Sequence, residues 1–232
     1  MPRNLIDYSY QLRGFAVYHL AFFYYLILVP FLDRYETEKR FRGRLRQAIR
    51  LAFWGFRITV RVDGESNFSR TTPAIIVSNH SSWFDQLALL AYIDAPITFM
   101  ANKKYFSFPG LNVVLRKLQC IPVDTKKRSF AESLAFSEQL LKNGTWVVVY
   151  PEGTRSEKML PLKRGAAYLA HVSGMPIQPI RIHGAYGILP RRQSFLRVKP
   201  GTITLSICPQ IKHNPKGLLD QITSLIEKSL KS

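Results

Sequence analysis

The stretch Ala74-Ile75-Ile76-Val77-Ser78-Asn79-His80-Ser81-Ser82-Trp83-Phe84-Asp85 decides how this chain of 232 residues is organised. A short apolar run, Ala74–Ser78, gives way to polar residues and then to a helical pattern from about Trp83 to Ile93. Consecutive apolar positions suit a strand covered on both faces, as in parallel sheets flanked by helices.

Towards the C-terminus the same alternation repeats. Ile97–Ala101 predicts a strand, followed by a Pro109-Gly110 turn and a short helix to Lys117. Cys120–Val123 predicts a strand, and Ser129–Lys142 a helix stopped at Asn143-Gly144. Thr145–Tyr150 is an unbroken β-rich strand, Arg164–Val172 a helix and Pro176–Ile182 a strand. Two more strands are expected at Phe195–Lys199 and Thr202–Cys208, then an amphipathic helix from Lys216 to Leu230. Towards the N-terminus, Asp63–Pro73 is a polar linker, Ile58–Val62 alternates like a strand, and residues 34–57 carry apolar positions at helical spacing. The fold class is therefore α/β, with a mostly parallel β-sheet flanked by helices over residues 58–232. An N-terminal two-helix membrane-associating element is expected over residues 1–57.

Charge and hydropathy supply that last expectation. The chain has 33 Lys and Arg against 15 Asp and Glu, a net +18. Such a field favours polyanions: nucleic acid, an anionic membrane surface, acidic carriers or phosphorylated substrates. Between Arg34 and Arg61 there are nine basic and two acidic residues, +7 in that stretch alone. This stretch directly follows Gly14–Leu32, nineteen residues with no formal charge. As a helix that run would be about 28 Å long at ~1.5 Å per residue, close to a bilayer core. A signal peptide is not expected, because Pro30, Asp33 and Arg34 close the run without a small-residue cleavage pattern. A span, a helix lying in one leaflet and a buried core helix all remain open. One-sided attachment by a helical hairpin is preferred, because Tyr18, Tyr24 and Tyr25 suit an interface and the arginines would meet anionic headgroups. Nucleic acid is not expected as a partner, since no aromatic-basic motif of a known module accompanies the charge. Cys120 and Cys208 imply no disulfide framework and are expected as small buried hydrophobes.

Two polar loops carry the chemistry. Asn79-His80 follows a strand, where open α/β sheets place their ligand crevice, and Asp85 would lie in the first turn of the next helix. From there its carboxylate can orient the His80 ring and leave the other nitrogen as a general base. Ser82-x-x-Asp85 equally has the spacing of a capping box, so spacing leaves both roles open. The second loop, Pro151-Glu152-Gly153-Thr154-Arg155-Ser156, follows the strand ending at Tyr150. Gly153 permits unusual backbone geometry, Arg155 offers a forked donor for phosphate, and Glu152 can orient an acceptor or hold the loop. An ordinary polar turn is the alternative.

With these residues in view, the chain resembles the glycerolipid acyltransferases, and among them the bacterial 1-acyl-sn-glycerol-3-phosphate (lysophosphatidate) acyltransferase family. Asn79-His80-Ser81-Ser82-Trp83-Phe84-Asp85 is similar to the N-H-x-x-x-x-D motif, and Tyr150-Pro151-Glu152-Gly153-Thr154-Arg155-Ser156 to F-P-E-G-T-R-S. Lys103–Gly110 leading to Cys120–Asp124 resembles a further family motif, and Met175–Ile180 another; the resemblance runs from about residue 58 to 210. It implies that His80 deprotonates an acceptor hydroxyl that attacks an acyl thioester, with Asp85 orienting His80. It also implies that Lys103 and Arg155 hold the acceptor's phosphate, with Asn79, Glu152, Gly153 and Thr154 completing the substrate-binding set. The donor would be acyl-CoA or acyl-ACP, which makes acyl carrier protein a candidate partner. No cofactor and no metal are called for; His19, His171, His183 and His213 form no ligand cluster. The implied setting is the cytoplasmic face of a membrane, the bacterial inner membrane, with a lysophospholipid as acceptor. One position departs from the pattern: Thr125 stands where an Arg for acceptor phosphate is typical, which leaves the acceptor open.

Overall fold

The computed structural model describes residues 9–24, 37–123, 129–194, 197–214 and 219–231. Two helices come first, α1 (Ser9–Phe23) and α2 (Glu38–Gly55), and then β1 (Ile58–Asp63), β2 (Ile75–Val77), α3 (Phe84–Tyr92) and β3 (Ile97–Asn102). A 3₁₀ segment, Lys103–Ser107, leads to α4 (Leu111–Lys117), β4 (Ile121–Val123), α5 (Ser129–Lys142) and β5 (Trp146–Val149). The chain continues as α6 (Gly165–Ser173), β6 (Ile177–His183), the single turn α7 (Ala185–Ile188), β7 (Gly201–Ile207) and α8 (Leu219–Lys231).

The seven strands form one sheet in the order β1-β7-β6-β2-β5-β3-β4. Every neighbouring pair is parallel except β6 and β7, which run antiparallel. β2 and β5 are buried at every residue, as strands covered on both faces must be. On one face, Ile76 and Val148 pack with Phe53 of α2 and Phe84 and Leu89 of α3. On the other, Ile75 and Val147 pack with Leu141 of α5, Leu169 of α6 and Ile226 of α8.

β2 and β5 are in register, with Val77 opposite Val149. Their carboxyl ends therefore stop side by side, and the two polar loops leave the sheet together. The loop after β3 joins them, because β3 is the other neighbour of β5.

α2 buries Phe41, Leu45, Ile49 and Phe53 along one stripe, and Thr37 accepts from the N–H of Arg40 at its N-cap. Beside that stripe runs a row of arginines that caps neighbouring backbone. Arg42 donates to the carbonyls of Ile97 and Leu118, Arg46 to the carbonyl of Ile93 and the carboxylate of Asp94, and Arg50 to the carbonyl of Ala91. Part of the basic run expected to face headgroups is thus spent on holding α2 to the end of α3. α1 crosses α2 at two glycines: a Cβ at Gly55 would lie 3.0 Å from the Cα of Gly14.

Some expected elements differ. Arg197–Lys199 form no strand: Arg197 N–H donates to Ser194 O and Lys199 N–H to Ile188 O, pairing with the end of α7. The first half of that expected strand, residues 195 and 196, lies outside the described residues. Of the apolar run Gly14–Leu32, the part to Phe23 belongs to α1, and residues 25–32 lie outside the described residues. No described helix is long and apolar enough to cross a membrane. Cys208 is half-buried rather than buried, its thiol beside the carbonyl of Ser229.

Candidate active site

Asp85 occupies the first turn of α3, and its carboxylate is wholly buried. Oδ2 accepts the backbone N–H of Ser81 at 2.6 Å and of Ser82 at 2.8 Å. It also lies 2.8 Å from Nδ1 of His80. An ionised carboxylate only accepts, so Nδ1 carries the proton and Nε2 presents its lone pair. The capping role and the pairing role left open by the spacing are thus filled by one oxygen. The side chain of His80 is 11% exposed, and Nε2 has no hydrogen-bond partner among the described residues.

Three further contacts fix the imidazole. Its main-chain N–H donates to Oε1 of Glu152 at 2.8 Å, and its carbonyl accepts from Ser156 at 2.9 Å. The ring stacks on Tyr150 with centroids 4.0 Å apart and planes 17° from parallel. Ser82 Oγ donates to the carbonyl of Leu189 at 2.8 Å, tying the loop to the end of α7.

Glu152 is buried, and its second oxygen accepts the N–H of Leu160 at 2.8 Å. Both oxygens therefore serve backbone amides, and the side chain holds the loops. Asn79 is committed in the same way: its amide donates to the carbonyl of Ile182 and accepts from that residue's N–H, each at 2.8 Å. The side chain pairs with β6 two residues past the end of β2 and sets where His80 begins. Gly153 has φ +70°, and a Cβ there would lie 2.6 Å from Nζ of Lys163. Thr154 is half-buried on the same loop.

Arg155 lies with its guanidinium 4.3 Å above the ring of Trp83, which belongs to the His80 loop. No carboxylate pairs with it among the described residues. Burial lowers its pKa, and the charge of Arg191 acts in the same direction, while Tyr105 and Asp85 oppose the shift. Lys103 is exposed at the start of the 3₁₀ segment after β3. That segment reaches the site through Tyr105, whose ring meets Trp83 edge-on at 5.6 Å. Thr125 lies outside the described residues.

The structure thus brings His80, Asp85, Asn79, Glu152, Gly153 and Arg155 together, with Lys103 on the adjoining loop. Tyr150, Trp83 and Arg191 join them without having been singled out. Tyr150 and Trp83 stood inside the two motifs, whereas nothing near Arg191 in the chain marked it. A histidine with one nitrogen on a buried carboxylate and the other open is equipped to move a proton, and an unpaired guanidinium beside it to bind an anion.

Known proteins resemble this chain in sequence and in fold. A family model described as acyltransferase matches residues 59–183. The 1-acyl-sn-glycerol-3-phosphate acyltransferase of Bacillus subtilis is 31% identical over 126 residues, 54% of this chain and 63% of that protein. The Pseudomonas aeruginosa protein of the same name is 30% identical over 223 residues, 93% of this chain and 82% of its own. The match spans a little over half the length of two plant relatives, from Brassica napus and Cocos nucifera. The crystal structure of the 1-acyl-sn-glycerophosphate acyltransferase PlsC from Thermotoga maritima superposes with a TM-score of 0.82, covering 98% of this chain and 96% of that one at 24% identity. With its α/β sheet, its paired loops and a family match covering residues 59–183, the chain belongs to the acyltransferase family.

Proposed function

We propose that this protein transfers an acyl chain from acyl-CoA or acyl-ACP to the hydroxyl of a lysophospholipid, 1-acyl-glycerol-3-phosphate in the first place, giving phosphatidate. The observation that carries the reading is the 2.8 Å contact between His80 Nδ1 and Asp85 Oδ2, which leaves Nε2 open. Nε2 takes the proton of the acceptor hydroxyl as its oxygen attacks the thioester carbonyl. The negative charge of Asp85 stabilises the imidazolium that forms. When the C–S bond breaks, the thiolate leaves and takes the proton back from His80. Atoms and charge balance, and His80 returns to its starting state.

Arg155 and Lys103 bind the acceptor's phosphate on this reading. Gly153 and Thr154 line the approach, and Asn79 and Glu152 hold its walls. α1 and α2 attach the protein to an anionic membrane surface, the cytoplasmic face of a bacterial inner membrane, so that the acceptor is met at the interface. Exposed Leu12, Phe15 and Leu20 on α1, and Leu51 and Trp54 on α2, support that part. Thr125 favours a second acceptor, another lysolipid or lipid hydroxyl, within the same chemistry.

The test offers purified protein a panel of lysolipids with both donors in mixed micelles. Transfer to lysophosphatidate that disappears in His80→Ala, with the fold intact, is the expected result. Near-full activity in that variant would end the proposal.

A further inference from the structure

Arg191 stands on the loop after α7, beyond the two motifs, and its Nη1 donates to the carbonyl of Arg155 at 3.1 Å. That loop is fastened to the site a second time, two residues earlier, where Leu189 accepts from Ser82 Oγ. Arg155 is in turn held against Trp83. Two arginines are thus fixed side by side, on segments tied to the His80 loop. The like charge of Arg191 is close enough to disfavour the charged form of Arg155, after burial, which is the larger cause. No carboxylate neutralises either guanidinium among the described residues. Like charges at close range cost energy unless an anion lies between them or beside them.

We infer that Arg155 and Arg191 form a two-arginine clamp for one phosphate group, and that this phosphate is the acceptor's. The inference rests on the proposed acyl transfer and adds to it a phosphate-binding residue from a third loop. The phosphates of a coenzyme A or carrier-protein donor share the same chemistry. The acceptor is favoured because Ser156, next to Arg155, donates to the carbonyl of His80. The clamp is therefore fastened directly to the residue where the acceptor hydroxyl must react.

The test compares wild type with Arg191→Gln and Arg191→Lys, using Arg192→Gln as a control for bulk charge. Gln keeps a donor for the Arg155 carbonyl but no charge. Binding of glycerol 3-phosphate, followed by calorimetry, reads the clamp without turnover. The expected result is binding to wild type, weakened roughly tenfold or more in Arg191→Gln because a charge-assisted bond is lost, partly restored in Arg191→Lys and unchanged in Arg192→Gln. In turnover, Arg191→Gln should raise KM for lysophosphatidate, with kcat and the donor KM held and monoacylglycerol transfer unaffected. Equal binding in wild type and Arg191→Gln, or no binding to wild type, overturns the clamp. A rise in donor KM instead of acceptor KM overturns its assignment to the acceptor. If the clamp binds phosphate but no lysolipid is acylated, the proposed activity fails and the phosphate site stands.

Discussion

Oε1 of Glu152 accepts the backbone N–H of His80 at 2.8 Å, so an acid leaving β5 fixes the main chain of the residue leaving β2. The other oxygen serves Leu160. Glu152→Gln keeps one acceptor and turns an NH₂ group against the second amide. A buried, charge-assisted bond is lost, which should lower stability by about 1–3 kcal/mol. His80 then shifts, and kcat should fall roughly tenfold or more, since a misplacement of about 1 Å can cost ~100-fold. Urea melts and turnover at saturating substrate check both, and an unchanged melt would refute the role of Glu152 in holding the two loops.

Asp85 separates capping from catalysis. In Asp85→Asn the amide oxygen can still accept from Ser81 and Ser82, so α3 keeps its start. The charge that stabilises the imidazolium is gone, and kcat should fall by roughly 10³–10⁴. Circular dichroism should show the fold retained. Activity near wild type would mean that Asp85 serves the helix alone.

The legible parts of the fold share a physical reason. β2 and β5 are central, so their apolar residues run consecutively and mark themselves. The His80-Asp85 spacing pointed to two roles, and it could not say that one oxygen fills both. Asn79 looked like a ligand for substrate, yet its amide completes a ladder with Ile182, 103 residues away. Such a partner leaves no local trace. Phe195–Lys199 is expected as a strand, but the backbone of Arg197 and Lys199 pairs with a turn and with α7 instead of a neighbouring strand. Arg191 stood unmarked because its meaning, like the ladder contact of Asn79, lies in a contact made by folding.

The cysteines should be bystanders. Burial pushes the Cys120 thiol up to about 11, so only about 0.1% is thiolate at pH 8. The thiol of Cys208 is also raised by burial. Treatment with iodoacetamide at that pH should leave transfer intact, and Cys120→Ala should retain kcat. Rapid inactivation protected by acyl donor would instead point to a thiol in the chemistry.

The arginines of α2 divide by what they touch. Arg46 binds the carbonyl of Ile93 and the exposed carboxylate of Asp94, so Arg46→Ala should lower stability by about 1 kcal/mol, solvent screening most of the ion pair. Its hydrogen bond holds the Asp94 carboxyl below its usual range. That contribution is complete above the ordinary Asp pKa near 3.8 and is lost as pH falls through the folded value, so Arg46→Ala should flatten the acid side of the stability curve. Lys39→Gln with Arg40→Gln, both exposed, should spare stability and weaken binding to anionic vesicles by about 1 kcal/mol per residue. The reverse pattern would mean that the capping row is what meets lipid.

The glycine crossing offers a way to uncouple α1 from the rest of the protein. A Cβ at Gly14 would lie 2.2 Å from Cδ1 of Phe56, a ring that is 1% exposed and has no room to retreat. Gly14→Val must therefore push α1 away from α2 or displace a core aromatic. The first is easier, because α1 is held at its outer edge and Phe56 is packed among the sheet and helices. The exposed Leu12, Phe15 and Leu20 would then move with α1, away from the helix that carries the exposed Leu51 and Trp54. Limited proteolysis should then cut within α1, and partition into vesicles should weaken while acyl transfer to micellar substrate persists. Gly43 provides the matched control, since a Cβ there meets nothing within 4 Å. Gly43→Ala should stabilise α2 by about 0.5–1 kcal/mol, the usual gain on removing a helix-interior glycine. Weakened vesicle binding in Gly43→Ala as well would show that the crossing at Gly14 is not what organises the membrane face.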